Sequence, residues 1–149
     1  MITTKEIELF EALFQKSPNS VLLHINNGLD DIQKLLENFV HKIDGKLIVK
    51  NLHEINFERF RLTAREYEYV IVSNCLEDIE DSDKFIKEVY HSLENSANII
   101  MIEKNTNDNL LKMLYLLDNN DFRASNSIDI FQKYNLAMAK KMHMWGNGL

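Results

Sequence analysis

The sequence predicts an α/β protein: a three-layer sandwich whose mostly parallel, doubly wound sheet ends in a C-terminal antiparallel β-hairpin. Three observations carry this. The apolar runs at 21–25, 69–73 and 98–103 are continuous rather than alternating, as in strands covered on both faces of a parallel sheet. Stretches with apolar residues every three or four positions lie between them, so strands and helices alternate as in right-handed βαβ units. The tail alternates strictly instead, with Tyr134, Leu136, Met138, Lys140 and Met142 on one face, which suits a hairpin strand.

Each element has its own signal. Thr3 and Glu6 have capping-box spacing, and Ile7, Phe10, Leu13 and Phe14 form a helical stripe, giving an N-terminal helix within 1–16. Ser17, Pro18 and Asn19 stop it. A strand at 21–25 leads through a polar turn into a helix over 29–43, with Asp30 and Asp31 at its N-terminus and Leu29, Ile32, Leu36, Phe39 and Ile43 as its apolar face. Asp44-Gly45 turns the chain into a strand at 46–50. The stretch 51–66 mixes polar and apolar residues and suggests a short strand near 55–60. After the strand at 69–73, Asp81 or Ser82 caps a helix with Phe85, Ile86, Val89, Tyr90 and Leu93 inward. The strand at 98–103 follows. Asp108 then opens a helix with Leu110, Leu111, Leu114 and Leu117 inward, and residues 128–131 are expected to pair with the tail as a hairpin within 119–149.

Composition bounds the function. One domain, 1–149, is expected from 149 residues that are 45% hydrophobic and 27% charged, with one Pro and four Gly. No apolar run approaches a membrane span, and the acidic, amphipathic start is unlike a signal peptide. The lone Cys75 suits a reducing compartment, so a cytoplasmic protein without membrane attachment is expected. The net charge of −6 argues against nucleic acid as a general partner. Residues 119–149 are nevertheless net +2, read foremost as a solvated strand face. A protein partner is possible, as is a homodimer formed by pairing the apolar final strand edge to edge.

Few side chains form a chemical constellation. Glu77, Asp78, Glu80, Asp81 and Asp83 cluster after the strand at 69–73, and read better as a solvated loop with a helix cap than as a metal site. The five histidines lack ligand spacing, and His24 reads as a core histidine that would point near any pocket at the strand ends. Cys75 has no basic neighbour in sequence to activate it. Asn74, at a strand end, suits either a ligand contact or turn closure. Met138, Met142, Met144 and Trp145 suit a packed terminal strand and tail. No nucleophile elbow, P-loop or Ser-His-Asp signature is present.

The order of elements, and above all YEYVIVSNCLEDIEDSDKFIKEVYHSLENSANIIMIEK at 67–104, resembles the class I S-adenosylmethionine-dependent methyltransferases. The likeness spans about 20–143 and is specific in 67–104, which corresponds to the family's stretch from its fourth to its fifth strand. Ser73-Asn74-Cys75-Leu76-Glu77-Asp78 fills the place of a Leu-Glu-His-like turn, and Glu94-Asn95-Ser96-Ala97 that of Pro-Gly-Gly. Asn120-Asp121-Phe122 resembles the Gly-Phe turn before the last hairpin, and 134–141 the final strand. The resemblance implies five or so parallel strands and S-adenosylmethionine as cofactor. It would sit over His24, Asn26, Asn27 and Gly28, with Asn51 near the ribose and Asn74, Cys75 and Leu76 near the methyl group. No catalytic residue and no metal are implied.

The departures are as specific. The family's Gly-x-Gly-x-Gly positions fall on Ile25, Asn27 and Leu29, and its acidic position on Leu23. Gly28 is out of register. Asn26 and Asn27 tolerate left-handed turn conformations, but Ile25 and Leu29 would crowd a ligand. The second strand ends in Lys50-Asn51 where the family has an Asp or Glu that accepts from the ribose hydroxyls. Only 18 residues separate Lys50 from Tyr69, too few for the family's second helix. Three readings follow. The first is a methyltransferase-like domain with weakened or lost cofactor binding and an interaction or regulatory role. The second is an active methyltransferase with an unusual site, since methyl transfer needs mainly positioning. The third is a receiver-like signalling domain, which Ser73 and Lys104 invite but the absence of an acceptor Asp opposes.

Overall fold

The computed structural model describes residues 1–106 and 108–142. The Thr3 hydroxyl accepts the Glu6 N–H at 3.2 Å and the Glu6 carboxylate accepts the Thr3 N–H at 2.8 Å, so a complete capping box starts α1 (Thr4–Glu11). Next come β1 (Val21–Asn26), α2 (Asp30–Lys42) and β2 (Lys46–Asn51), with the turn between α2 and β2 made by Asp44 in the left-handed region (φ 53°). After a long loop the chain forms β3 (Tyr67–Ser73), α3 (Ser82–Ser92), β4 (Leu93–Lys104), α4 (Asn109–Asn119), β5 (Arg123–Ser127) and β6 (Tyr134–Lys140). Asp81, not Ser82, caps α3, its carboxylate accepting the Lys84 N–H at 3.1 Å.

The six strands form one sheet in the order β2-β1-β3-β4-β6-β5. The first four run parallel, and β6 and β5 add antiparallel at one side. Two apolar layers cover the sheet. Phe10 of α1, Phe14 just after it, and Ile32, Leu36 and Phe39 of α2 pack on Leu22, Tyr69, Ile71, Ile100 and Leu136. On the other face, Phe85, Ile86 and Val89 of α3 and Met113 and Leu117 of α4 pack on Leu23, Ile25, Val70, Val72, Ile99 and Met101. Both faces of β1, β3 and β4 are therefore covered, which is why their sequences read as unbroken apolar runs.

Four expectations need correction. No strand forms at 55–60: the loop makes two single 3₁₀ turns, Leu52–Glu54 and Phe57–Arg59, closed by local bonds such as Arg59 N–H to the Asn56 carbonyl at 3.1 Å. Its apolar residues serve burial, not pairing, for Phe60 stacks on Phe85 (centroids 5.2 Å apart, interplanar angle 8°). Leu52, Phe60 and Leu62 of the loop are buried in the layer under α3, and the sheet has four parallel strands where five or so are expected. The hairpin partner of β6 is the polar β5 rather than 128–131. Ile130 and Phe131 turn instead to the layer beneath α1, with Phe131 5.4 Å from Phe10 between ring centroids.

The third correction concerns α4, where Asn109, Met113, Leu116 and Leu117 are inward, Leu110 and Leu114 flank them, and Leu111 faces solvent at 71% exposure. The fourth is that β6 lies between β4 and β5 and has no free edge; the sheet's edges are β2 and β5. The tail residues His143, Met144 and Trp145 lie outside the described residues. The turn expected at 94–97 exists as an interruption of β4: the pairing jumps from Tyr67↔Leu93 to Tyr69↔Asn98, and Ser96 adopts φ 69° where the family has glycine. Asp121 (φ 70°) does the same before Phe122.

Candidate functional site

The strand order reverses at β1, which has β2 on one side and β3 on the other. In open α/β sheets the carboxyl ends of the strands at such a reversal form the ligand crevice. Here the turns after Asn26 and Ser73 face one another there. The Asn27 N–H donates to the Ser73 carbonyl (3.0 Å). The Asn27 amide donates to the Asn74 carbonyl (2.8 Å) and to the Asp78 carboxylate (2.6 Å), and the Asn74 amide donates back to the Asn27 carbonyl (3.0 Å). Asn74 holds φ 59°, a conformation asparagine tolerates better than most residues, and its N–H is tied to the Ile102 carbonyl at 2.7 Å. The crevice is thus laced across by a reciprocal asparagine pair.

The neighbouring residues are also engaged within the protein. Asn26 is buried, and its side chain accepts the Leu29 N–H at 3.0 Å, closing the turn before α2. Neither Asn26 nor Asn27 takes the left-handed conformation; Gly28 does, at φ 86°, and a Cβ placed there would meet nothing within 4 Å. Ile25 and Leu29 do not crowd the crevice. Ile25 packs into the layer under α3 and Leu29 into the layer under α2. At the end of β2, the Asn51 amide donates to Glu54 at 3.1 Å.

His24 points away from the crevice, into the α2 layer. Its Nδ1 lies 2.6 Å from Gln33 Oε1 and its Nε2 2.7 Å from Ser73 Oγ. The Gln33 amide donates to Glu37 at 2.9 Å, which leaves Gln33 Oε1 as the acceptor toward His24. The imidazole therefore carries its proton on Nδ1 and accepts the Ser73 hydroxyl on Nε2. Burial pushes its pKa down to about 4, so it is neutral at physiological pH. Ser73 is itself fully buried and presents no nucleophile.

Cys75 is buried, and desolvation, reinforced by the Glu103 charge, pushes its thiol well above the usual range, so it is unreactive. Glu103 was missed in the sequence, although a charge closing an apolar strand was the available signal. It is 1% exposed, and its carboxylate accepts the N–H groups of Cys75 (2.9 Å) and Leu76 (3.2 Å), fixing the turn after β3. Burial raises its pKa, with those two donors acting against the rise. The acidic cluster divides among structural duties: Asp81 caps α3, Asp78 receives Asn27, and Asp83 receives the Asn120 amide at 2.8 Å. The structure therefore brings together Asn26, Asn27, Gly28, Asn74, Cys75 and Leu76, sets Asn51 beside Asn26 at the end of β2, and turns His24 into the core. Among the described residues, no helix is long and apolar enough to cross a membrane.

No family model matches the chain, and no curated protein matches it. Solved structures do. A S-adenosylmethionine-dependent methyltransferase from Aquifex aeolicus superposes with a TM-score of 0.73 at 10% identity, over 91% of this chain and 89% of that one. Human N-acetylserotonin methyltransferase, solved with S-adenosylmethionine, gives 0.65 at 16% identity over 93% of this chain and 52% of that one. The Haloferax volcanii chain solved in complex with the Trm112 methyltransferase activator gives 0.64 at 8% identity, over 93% and 90%. With its sheet order, its two covered faces and its closing antiparallel pair, this chain has the fold of the class I S-adenosylmethionine-dependent methyltransferases.

Proposed function

We propose that this protein is a methyltransferase-fold domain in which S-adenosylmethionine binding is lost or greatly weakened, and that it works through contact with a protein partner. The observation that carries the proposal is the asparagine lacing between the ends of β1 and β3. A cofactor entering the crevice would have to break the two amide–carbonyl bonds between Asn27 and Asn74 and the charge-assisted bond to Asp78. It would then find Lys50 and Asn51 at the end of β2, which cannot jointly accept from two ribose hydroxyls as a carboxylate does. A partner role agrees with a relative of this fold, the Haloferax volcanii chain, which has been solved bound to an activator protein.

A second reading, an active methyltransferase with an unusual site, is favoured by the open space above Gly28. Calorimetric titration with S-adenosylhomocysteine, repeated with S-adenosylmethionine, separates the two. We expect no binding at millimolar ligand. Micromolar affinity would overturn the first reading and direct attention to the methyl acceptor.

A further inference from the structure

Beside β2, outside the laced crevice, the loop after the strand walls a cavity of about 380 Å³. Its size is within the range of small-molecule sites. Lys50, Arg59 and Arg61 line it, with Glu54 as the one acidic residue, so the lining carries a net charge of +2 in a chain of net charge −6. The ion pairs of the described residues are Lys42–Glu11 and Lys133–Asp31, so none of these three cations has a carboxylate partner within 4 Å. Glu54 instead receives the Asn51 amide. Arg61 is oriented by a bond from Nη1 to the Phe60 carbonyl at 2.7 Å, which leaves its other donors free. Asn56 adds a side-chain amide, its oxygen already accepting the Glu58 N–H at 3.1 Å. Ile55 and the buried Phe60 supply apolar wall.

We infer that this cavity is a binding site for a phosphate monoester on a small organic body. Two guanidinium groups and one ammonium, without carboxylate partners among the described residues and lining one hollow, suit the oxygens of a phosphate dianion better than a single carboxylate, because guanidinium donors match phosphate geometry two at a time. Like charges lining one cavity repel one another, and a bound dianion relieves that repulsion. The loop makes such a site possible here. It brings Arg59 and Arg61 to the same hollow as Lys50, which itself stands where the resemblance calls for an acidic side chain. The hollow shares Lys50 and Asn51 with the ribose end of the expected cofactor position, and titration with a phosphate monoester alone reads it whether or not S-adenosylmethionine binds.

The full chain, titrated calorimetrically with phenyl phosphate at low ionic strength, tests this, with phenol and sodium acetate as controls. We expect phenyl phosphate to bind with a Kd of about 0.1–1 mM and to weaken as salt is added. Acetate and phenol should bind at least about tenfold more weakly. Arg59→Gln should reduce affinity about tenfold. Arg59 is exposed and, among the described residues, its side chain makes no hydrogen bond, so this variant should retain the fold, which its thermal unfolding curve checks. Arg61→Gln and Lys50→Gln should each add to the loss. Absence of binding up to about 10 mM phenyl phosphate, or unchanged affinity in Arg59→Gln, overturns the site.

Discussion

Two buried titratable residues tilt the acid stability of this protein in opposite senses. Above pH 6.5, the ordinary value, His24 is neutral both folded and unfolded. Between 6.5 and about 4 only the unfolded chain takes up the proton, so stability falls as the pH falls and the loss is complete below about 4. A shift of this size corresponds to about 3 kcal/mol as an upper limit. Glu103 works the other way, since its raised folded pKa means that the folded chain holds the proton longer, and stability falls as pH rises through that interval. Urea unfolding of the wild type and of His24→Gln across pH 4–7 isolates the histidine. The stability difference between the two proteins should shrink as the pH is lowered, because the wild type loses what the variant never had. A difference independent of pH would mean that folding does not shift the His24 pKa.

At the scale of elements, the loop at 52–66 has no α-helix or strand and still completes a core. Leu52, Phe60 and Leu62 are buried under it, and Phe57, Phe60 and Phe85 form an aromatic group with centroid separations of 5.2–6.3 Å. Up to Phe60 its backbone groups bond only within their own short turns. The N–H groups of Leu62, Arg65 and Glu66 are tied to α3 through the Glu88 carboxylate (2.7 Å) and the His91 and Ser92 carbonyls (3.1 and 2.9 Å). Side-chain burial thus holds the first half of the loop in place. Phe60→Ala should therefore cost about 3 kcal/mol in denaturant unfolding, as for a large-to-small change in a core. It should also weaken phenyl phosphate binding, because the same ring walls the cavity. A cost under about 1 kcal/mol would mean that the loop collapses around the lost ring. Much of this loop escaped the sequence. Ile55, Phe57 and Phe60 resemble a strand because burial and strand pairing both select apolar residues. The polar β5 was overlooked for the converse reason: an outer strand needs hydrogen bonds from one neighbour and little apolar surface.

On the scale of the whole molecule, one sheet serves two apolar layers, and β1, β3 and β4 contribute to both. Neither layer retains a platform if the sheet opens. Unfolding should accordingly be a single transition. Phe39→Leu, in the α2 layer, and Phe60→Ala, in the opposite layer, should each shift the far-ultraviolet and near-ultraviolet circular dichroism curves together. Separated curves in either variant would show that the layers melt independently.

What the sequence determined by itself was local or periodic: the capping box at Thr3 and Glu6, the helices, the doubly covered strands, and the shortage of chain between β2 and β3. Those features rest on spacing along the chain, and spacing survives without tertiary contacts. It also showed which glycines and acids were missing from the crevice. Only the tertiary structure decided what replaced them, since Asn27 and Asn74 lie 47 residues apart and their mutual bonds exist only once β1 and β3 pair in register. The same holds for His24, whose partners Gln33 and Ser73 make it a core residue, for Glu103, which holds a turn 28 residues earlier, and for the basic cavity beside β2. A side chain's chemistry depends on its neighbours in space, and those are fixed by strand order and layer packing, which no local pattern contains.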